Sequence, residues 1–137
     1  MIVSSTVVTE NRPPYNELVP DRFSDLFSAI IGSRFPGYTG STRLLQAGFV
    51  AVLASELQKC GKPTASSIAK YTGNHPNQVS NLARTLSARG VIDIRHTPSP
   101  IRGKSSKIYG FHANAVSALN EAHLRETGQL IQANYVK

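Results

Sequence analysis

Covalent and metal cross-links have little to work with in this sequence. There is one cysteine, Cys60, and no tryptophan among 137 residues. A lone cysteine closes no internal disulfide, and the four histidines stand at no zinc-site spacing, with or without Cys60. No metal and no cofactor is expected. Apolar runs are short as well. The longest unbroken stretch of apolar residues and glycine, 47–54, falls far below the roughly 20 residues of a spanning helix. The first residues lack a basic stretch followed by an apolar one, so a soluble, cytoplasmic protein with no membrane partner is the expectation. Only eight residues are acidic, which leaves paired-carboxylate chemistry little material. No Ser, His and acid set is recognisable either, and the chain does not read as an enzyme. Its length suits one domain of ordinary size.

What the chain does have is positive charge, unevenly placed. Residues 59–107 hold nine basic side chains (Lys59, Lys62, Lys70, Arg84, Arg89, Arg95, Arg102, Lys104 and Lys107) against one acid, Asp93, a balance of +8. The rest of the chain nets −1, within an overall +7. A basic segment of about fifty residues is the electrostatic footprint of a nucleic-acid-binding module. A generally basic, solvated surface has the same composition, so the residue pattern has to decide.

Residues 1–21 mix Ser, Thr and Val with Asn11 and three prolines, show no sustained period, and read as an N-terminal arm. From Arg22 the apolar residues Phe23, Leu26, Phe27, Ile30 and Ile31 recur at helical spacing, with Asp21 as cap and Gly32 as stop. Pro36, Gly37 and Gly40 interrupt the chain before a long helix capped by Ser41 or Thr42 and ended by Gly61. Its middle is apolar around most of its circumference, which predicts a central, buried helix. Residues 22–137 read as a single domain.

The strongest pattern lies at 64–89. Pro63 and Thr64 open a helix, Gly73 breaks it, and Pro76 restarts the next, with Asn74 or His75 as cap. Ile68, Ala69, Gly73, Val79 and Leu82 stand at the offsets of a helix-turn-helix. Ala69 is small where the second helix crosses, Gly73 allows the positive φ of the turn, and Ile68, Val79 and Leu82 form the shared core. On the second helix Val79, Leu82, Ala83 and Leu86 make the buried stripe. Asn77, Ser80, Asn81 and Arg84 fall on the other side with Gln78 at the margin, a face of amides, a hydroxyl and a guanidinium without an acid. Val91, Ile92 and Ile94, then residues 107–112, read as a two-stranded hairpin whose loop, 96–106, carries Arg102 and Lys104. Residues 91–112 form a wing. A helix from Ala113, with Val116, Leu119, His123, Thr127, Leu130 and Ile131 on one face, closes the chain near 134, and Gly128 bends or interrupts it. His123 reads as a satisfied core or interface histidine, and Cys60 as small apolar filler.

This order of elements, mainly α with a small two-stranded β wing, resembles the MarR family of winged helix-turn-helix transcription regulators. The likeness spans residues 42–127 and is carried by PNQVSNLARTLSARGVI, residues 76–92, which is similar to that family's recognition helix and the approach to its wing. The resemblance implies a homodimer built from terminal helices (here 22–32 and 113–134), each protomer placing a recognition helix in a major groove and a wing tip at a minor groove. It also implies a small-molecule effector, for which Phe23, Phe27, Phe49 and Tyr15 are the lining available. Position by position, Ser80 and Asn81 match recognition-helix residues that face bases, and Arg102 matches the wing arginine. Where the family carries Asp before that arginine, this chain has Ile101.

From the residues themselves, Asn77, Gln78, Ser80, Asn81 and Arg84 are the candidates for base contacts in double-stranded DNA, Asn and Gln pairing with adenine N6/N7 and Arg with guanine O6/N7. Arg102 suits a narrow minor groove. Lys104 and Lys107 suit phosphates, and Arg95 either a phosphate or a cross-strand partner. Thr64, Ser66 and Ser67 offer hydroxyls and helix-start N–H groups to a phosphate, although capping explains Thr64 equally well. The expected function is a sequence-specific, homodimeric DNA-binding regulator. The alternatives are a winged-helix protein-interaction module and a plasmid or phage replication or partition protein.

Overall fold

The computed structural model describes residues 20–59, 61–98 and 105–131. Residues 1–19 of the N-terminal arm, Tyr15 among them, then Cys60, Ile101, Arg102, Lys104 and residues 132–137, lie outside them. Among the described residues the protein is mainly helical with one two-stranded antiparallel sheet. The order is α1 (Pro20–Gly32), α2 (Gly40–Gln58), α3 (Ala65–Thr72), α4 (Pro76–Ala88), β1 (Ile92–Pro98), β2 (Ser105–Phe111) and α5 (Ala115–Thr127). No described helix is long and apolar enough to cross a membrane.

Local chemistry explains most boundaries. α1 begins at Pro20, two residues before the expected start, because proline has no N–H to lose in a first turn and its φ already suits a helix. α2 is capped by Thr39, not by Ser41 or Thr42: the Thr39 hydroxyl accepts from the Thr42 N–H at 3.2 Å, which draws Gly40 into the helix. Thr64 and Ser67 cap α3 reciprocally. The Thr64 Oγ1 accepts from the Ser67 N–H at 3.0 Å and the Ser67 Oγ from the Thr64 N–H at 2.9 Å. His75, one of the two caps expected for α4, takes the role with Nδ1 accepting from the Asn77 N–H at 3.1 Å. α5 stops seven residues short of the expected 134. Gly128 closes it in the left-handed conformation, its N–H donating to the Leu124 carbonyl at 2.9 Å, and the chain turns back until the Ile131 N–H reaches Asn120 Oδ1 at 3.1 Å.

Two glycines are dictated by geometry. Gly73 stands at φ 86° between α3 and α4, where the chain passes from one helix to the next through three residues. Gly90 stands at φ 80° after α4, and a Cβ there would lie 2.6 Å from that of Ala118. The turn between α4 and β1 thus meets α5 at a contact only a hydrogen fits.

The core is formed by one stripe from each element: Leu26 and Ile30 of α1, Val50 and Leu53 of α2, Ile68 of α3, Val79, Ala83 and Leu86 of α4, Ile92 and Phe111 of the hairpin, and Leu119 and Ala122 of α5. Leu82 is only partly buried at its edge. The apolar face of α1, expected to dimerise, is used internally. Leu26 and Ile30 are fully buried, and Phe23 meets Phe111 edge-to-face at a centroid distance of 5.3 Å. α2 corrects a second expectation. Its stripe Phe49, Val50, Leu53 and Leu57 is buried, but Leu44 is 67% exposed and Leu45 43%. The neighbouring elements cover one side of this helix, and its N-terminal half borders an open groove.

His123 is held as the sequence suggests. It is buried, its Nε2 accepts the Arg34 backbone N–H at 2.9 Å, and its Nδ1 is 2.7 Å from the Gln129 carbonyl. An Nε2 that accepts must carry the lone pair, so the proton sits on Nδ1 and donates to Gln129.

Candidate nucleic-acid interface

α3 and α4 are joined by the three residues Gly73, Asn74 and His75, and α4 turns its stripe Val79, Ala83 and Leu86 into the core. At 100° per residue the opposite side is centred on Asn77, Asn81 and Arg84, and all three are exposed. Gln78, also exposed, lies toward α2. Asn74 bridges turn and helix by donating from Nδ2 to Gln78 Oε1 at 2.8 Å. Arg84 reaches back one turn and donates from Nη1 to Asn81 Oδ1 at 2.9 Å. The structure therefore brings Asn77, Gln78, Asn81 and Arg84 onto one solvent-facing surface.

Ser80 is placed differently. It is half-buried where α4 lies over β2, and its side chain hydrogen-bonds the hydroxyl of Tyr109, itself 3% exposed. Burial pushes the Tyr109 hydroxyl above its ordinary pKa of 10.0, with the Ser80 bond and the Arg84 charge pulling the other way. Tyr109 was not among the sequence candidates. Its signal was the period of two that points it the same way as Phe111 along a strand.

The hairpin is more regular than its sequence suggested. The strands run to Pro98 and from Ser105, in register Ile92↔Phe111, Ile94↔Tyr109, Arg95↔Ile108 and His96↔Lys107, and shorten the loop from 96–106 to 99–104. A continuous ladder to Pro98↔Ser105 is why. Arg95 and Lys107 are exposed on this hairpin. A third segment runs beside β2, with the Tyr109 N–H donating to the Pro63 carbonyl at 2.9 Å and fixing the start of α3 against the sheet.

At that start the hydroxyls of Thr64 and Ser67 serve the cap, and the Ser67 hydroxyl also lies 3.1 Å from the Thr64 carbonyl. Ser66 is exposed. Capping therefore accounts for Thr64 and Ser67, and of these three residues Ser66 is the one whose side chain faces outward.

The other end of α4 is anchored by a residue that sequence reasoning counted only as charge. The Arg89 guanidinium stacks on Phe35 at 3.6 Å from the ring centroid and lies 4.8 Å from that of Tyr38. It also forks onto Glu126 of α5, Nε to Oε2 at 3.3 Å and Nη2 to Oε1 at 3.1 Å. Nη1 is enclosed with no hydrogen-bond partner among the described residues, so the ring faces are what meet its charge. Tyr38 is held in turn by Gln46 Nε2, 2.8 Å from its hydroxyl. Arg89 thus ties α4 to α5 and to the α1–α2 link.

Between α2 and the α3–α4 pair lies a largely apolar cavity of about 440 Å³, bordered by Leu44, Leu45, Phe49, Ile68, Val79 and Leu82, with Ser41, Thr72 and Asn74 at its edge. Among the described residues, Phe49 is the one proposed effector-lining residue that faces it. Phe23 and Phe27 instead stack with each other along α1, at a centroid distance of 6.5 Å. Among the described residues no group of three His, Cys, Asp or Glu is placed to hold a metal ion. Comparisons with family models, with curated proteins and with solved structures find no match to this chain.

Proposed function

We propose that the protein is a sequence-specific double-stranded DNA-binding regulator of the winged helix-turn-helix kind, similar to the MarR family, with α4 as recognition helix and the β1–β2 hairpin as wing. The observation that carries this reading is the outward face of α4. Asn77, Gln78, Asn81 and Arg84 form an exposed surface of amides and guanidinium, with no acid on the helix, inside a segment of balance +8. A face that met only water would need no such composition, whereas amides and guanidinium are the groups that distinguish base edges. Lys107, Lys104 and Arg102 add cations along the wing for phosphate or minor-groove contact, and Ser66 adds a hydroxyl at the start of α3.

The reading includes a homodimer. With Leu26 and Ile30 already inside the domain, its contact shifts to the exposed Ile31 near the end of α1, Leu124 on α5 and Leu130 just beyond α5. The cavity beside Phe49 is the place this reading gives to a small-molecule effector.

Selection from random duplex DNA, followed by salt titration of the winning sequence, tests the function. The expected outcome is an inverted repeat with half-sites about one helical turn apart and a slope of log affinity against log salt of about −4 or steeper, as contacts to four or more phosphates impose. No enriched sequence together with a shallow slope would reject DNA reading and favour the protein-interaction module.

A further inference from the structure

The hydrogen bond between Arg84 and Asn81 does more than brace two exposed side chains. Arginine has donors only, so the atom of Asn81 that faces Arg84 Nη1 at 2.9 Å must be the amide oxygen. The usual ambiguity between the oxygen and nitrogen of an asparagine is absent here, because a turned amide would set N–H against N–H. The guanidinium takes one lone pair of Oδ1 and sets its charge beside the other, so the group Asn81 presents to an incoming base is Nδ2, a pair of donors. Arg84 itself contributes its remaining N–H groups one helical turn away on the same face. The two side chains act together as a surface of donors.

A donor pair calls for an acceptor pair. In the major groove guanine presents two adjacent acceptors, O6 and N7, whereas adenine presents N7 beside the N6 amino group. Asparagine reads adenine by accepting from that amino group, and an amino group brought to Oδ1 would here lie against the Arg84 charge. We infer that Asn81, oriented by Arg84, selects guanine, reversing the adenine preference its residue type suggests. This inference rests on the DNA-binding function proposed above.

The experiment is selection from random duplexes with three full-length proteins: wild type, Asn81→Asp and Arg84→Met. Both positions are exposed, and thermal melting checks that the folds are unchanged. Asn81→Asp keeps the oxygen that Arg84 holds and exchanges the outward donor for an acceptor. Arg84→Met releases the amide to turn. The expected result is one position in each half-site where wild type prefers guanine over adenine by about tenfold, where Asn81→Asp prefers cytosine and where Arg84→Met admits adenine, the other positions keeping their preferences. A wild-type preference for adenine at the position that responds to Asn81→Asp would overturn the inference and leave DNA reading intact, as would the absence of any position responding to both variants. No enriched sequence with wild type would overturn the DNA-reading function and this inference with it.

Discussion

Gly73 and Gly90 share a left-handed backbone but not a neighbourhood. Nothing lies within 4 Å of a Cβ added at Gly73, whereas one at Gly90 would be 2.6 Å from Ala118 Cβ. Gly73→Ala should therefore cost only the conformational strain, about 1 kcal/mol. Gly90→Ala adds a steric conflict between the α4–β1 turn and α5 and should cost about 3 kcal/mol. Urea denaturation of the two variants checks the order, and equal losses would show that the α5 contact yields freely. Arg89 allows a similar comparison. Its side chain is 15% exposed while Glu126 is 40% exposed, and a carboxylate so open to water contributes little to an ion pair. Truncating Arg89 to Ala should cost about 2–3 kcal/mol through lost stacking on Phe35 and Tyr38. Glu126→Ala should cost less than about 1 kcal/mol. If melting shows the two equal, the ion pair and not the aromatic stack anchors the end of α4.

Between elements, the seam of α4 and β2 depends on Tyr109 and Ser80. The tyrosine is uncharged when protonated, and burial raises its folded pKa above the ordinary 10.0. As pH climbs past about 10 the unfolded chain loses this proton first, so the stability the buried hydroxyl contributes is present below that value and is lost as pH rises through the higher folded pKa. Tyr109→Phe should be about 1 kcal/mol less stable at pH 7, from loss of the Ser80 bond, and should decline less steeply between pH 10 and 11. Denaturation curves at pH 7, 10 and 11 read this difference, and parallel declines would refute it. The same scale shows how far local signals reach. The amphipathic spacing of Phe23, Leu26, Phe27 and Ile30 marked α1 as a helix, and Gly73 with Pro76 marked the break between α3 and α4, because period, cap and turn chemistry act within a few residues. The reciprocal Thr64 and Ser67 cap was half visible, in Thr64 alone. The exact strand ends were not, because the ladder to Pro98↔Ser105 depends on pairing across the loop.

For the whole molecule, the charge asymmetry was legible without any structure, since it is a count along the chain. Its arrangement was not. The basic segment supplies the exposed Arg84 and Lys107, but it also supplies Arg89, which is spent inside the protein on two aromatic rings and a carboxylate. A composition count cannot separate these roles, because burial is decided by residues far away in sequence. Phe35 and Tyr38 precede Arg89 by about fifty residues, and Glu126 follows it by 37. The apolar faces divide in the same way. The sequence pattern marked α1 as one-faced and α2 as buried on most sides, yet α1 closes on Phe111 and the core while α2 leaves Leu44 and Leu45 to solvent beside the cavity.

The sequence by itself thus determined the kinds of element, their order, the caps of α3 and α4 with the Gly73 break between them, and the acid-free outward face of α4, all set by interactions over one or two turns of chain. Tertiary structure alone decided that Ser80 turns to Tyr109, that Arg89 serves packing, and that α1 buries its apolar face within its own domain. Each of these is a choice among partners of similar chemistry. Only the three-dimensional packing, which determines who is near whom and how dry the contact is, makes that choice.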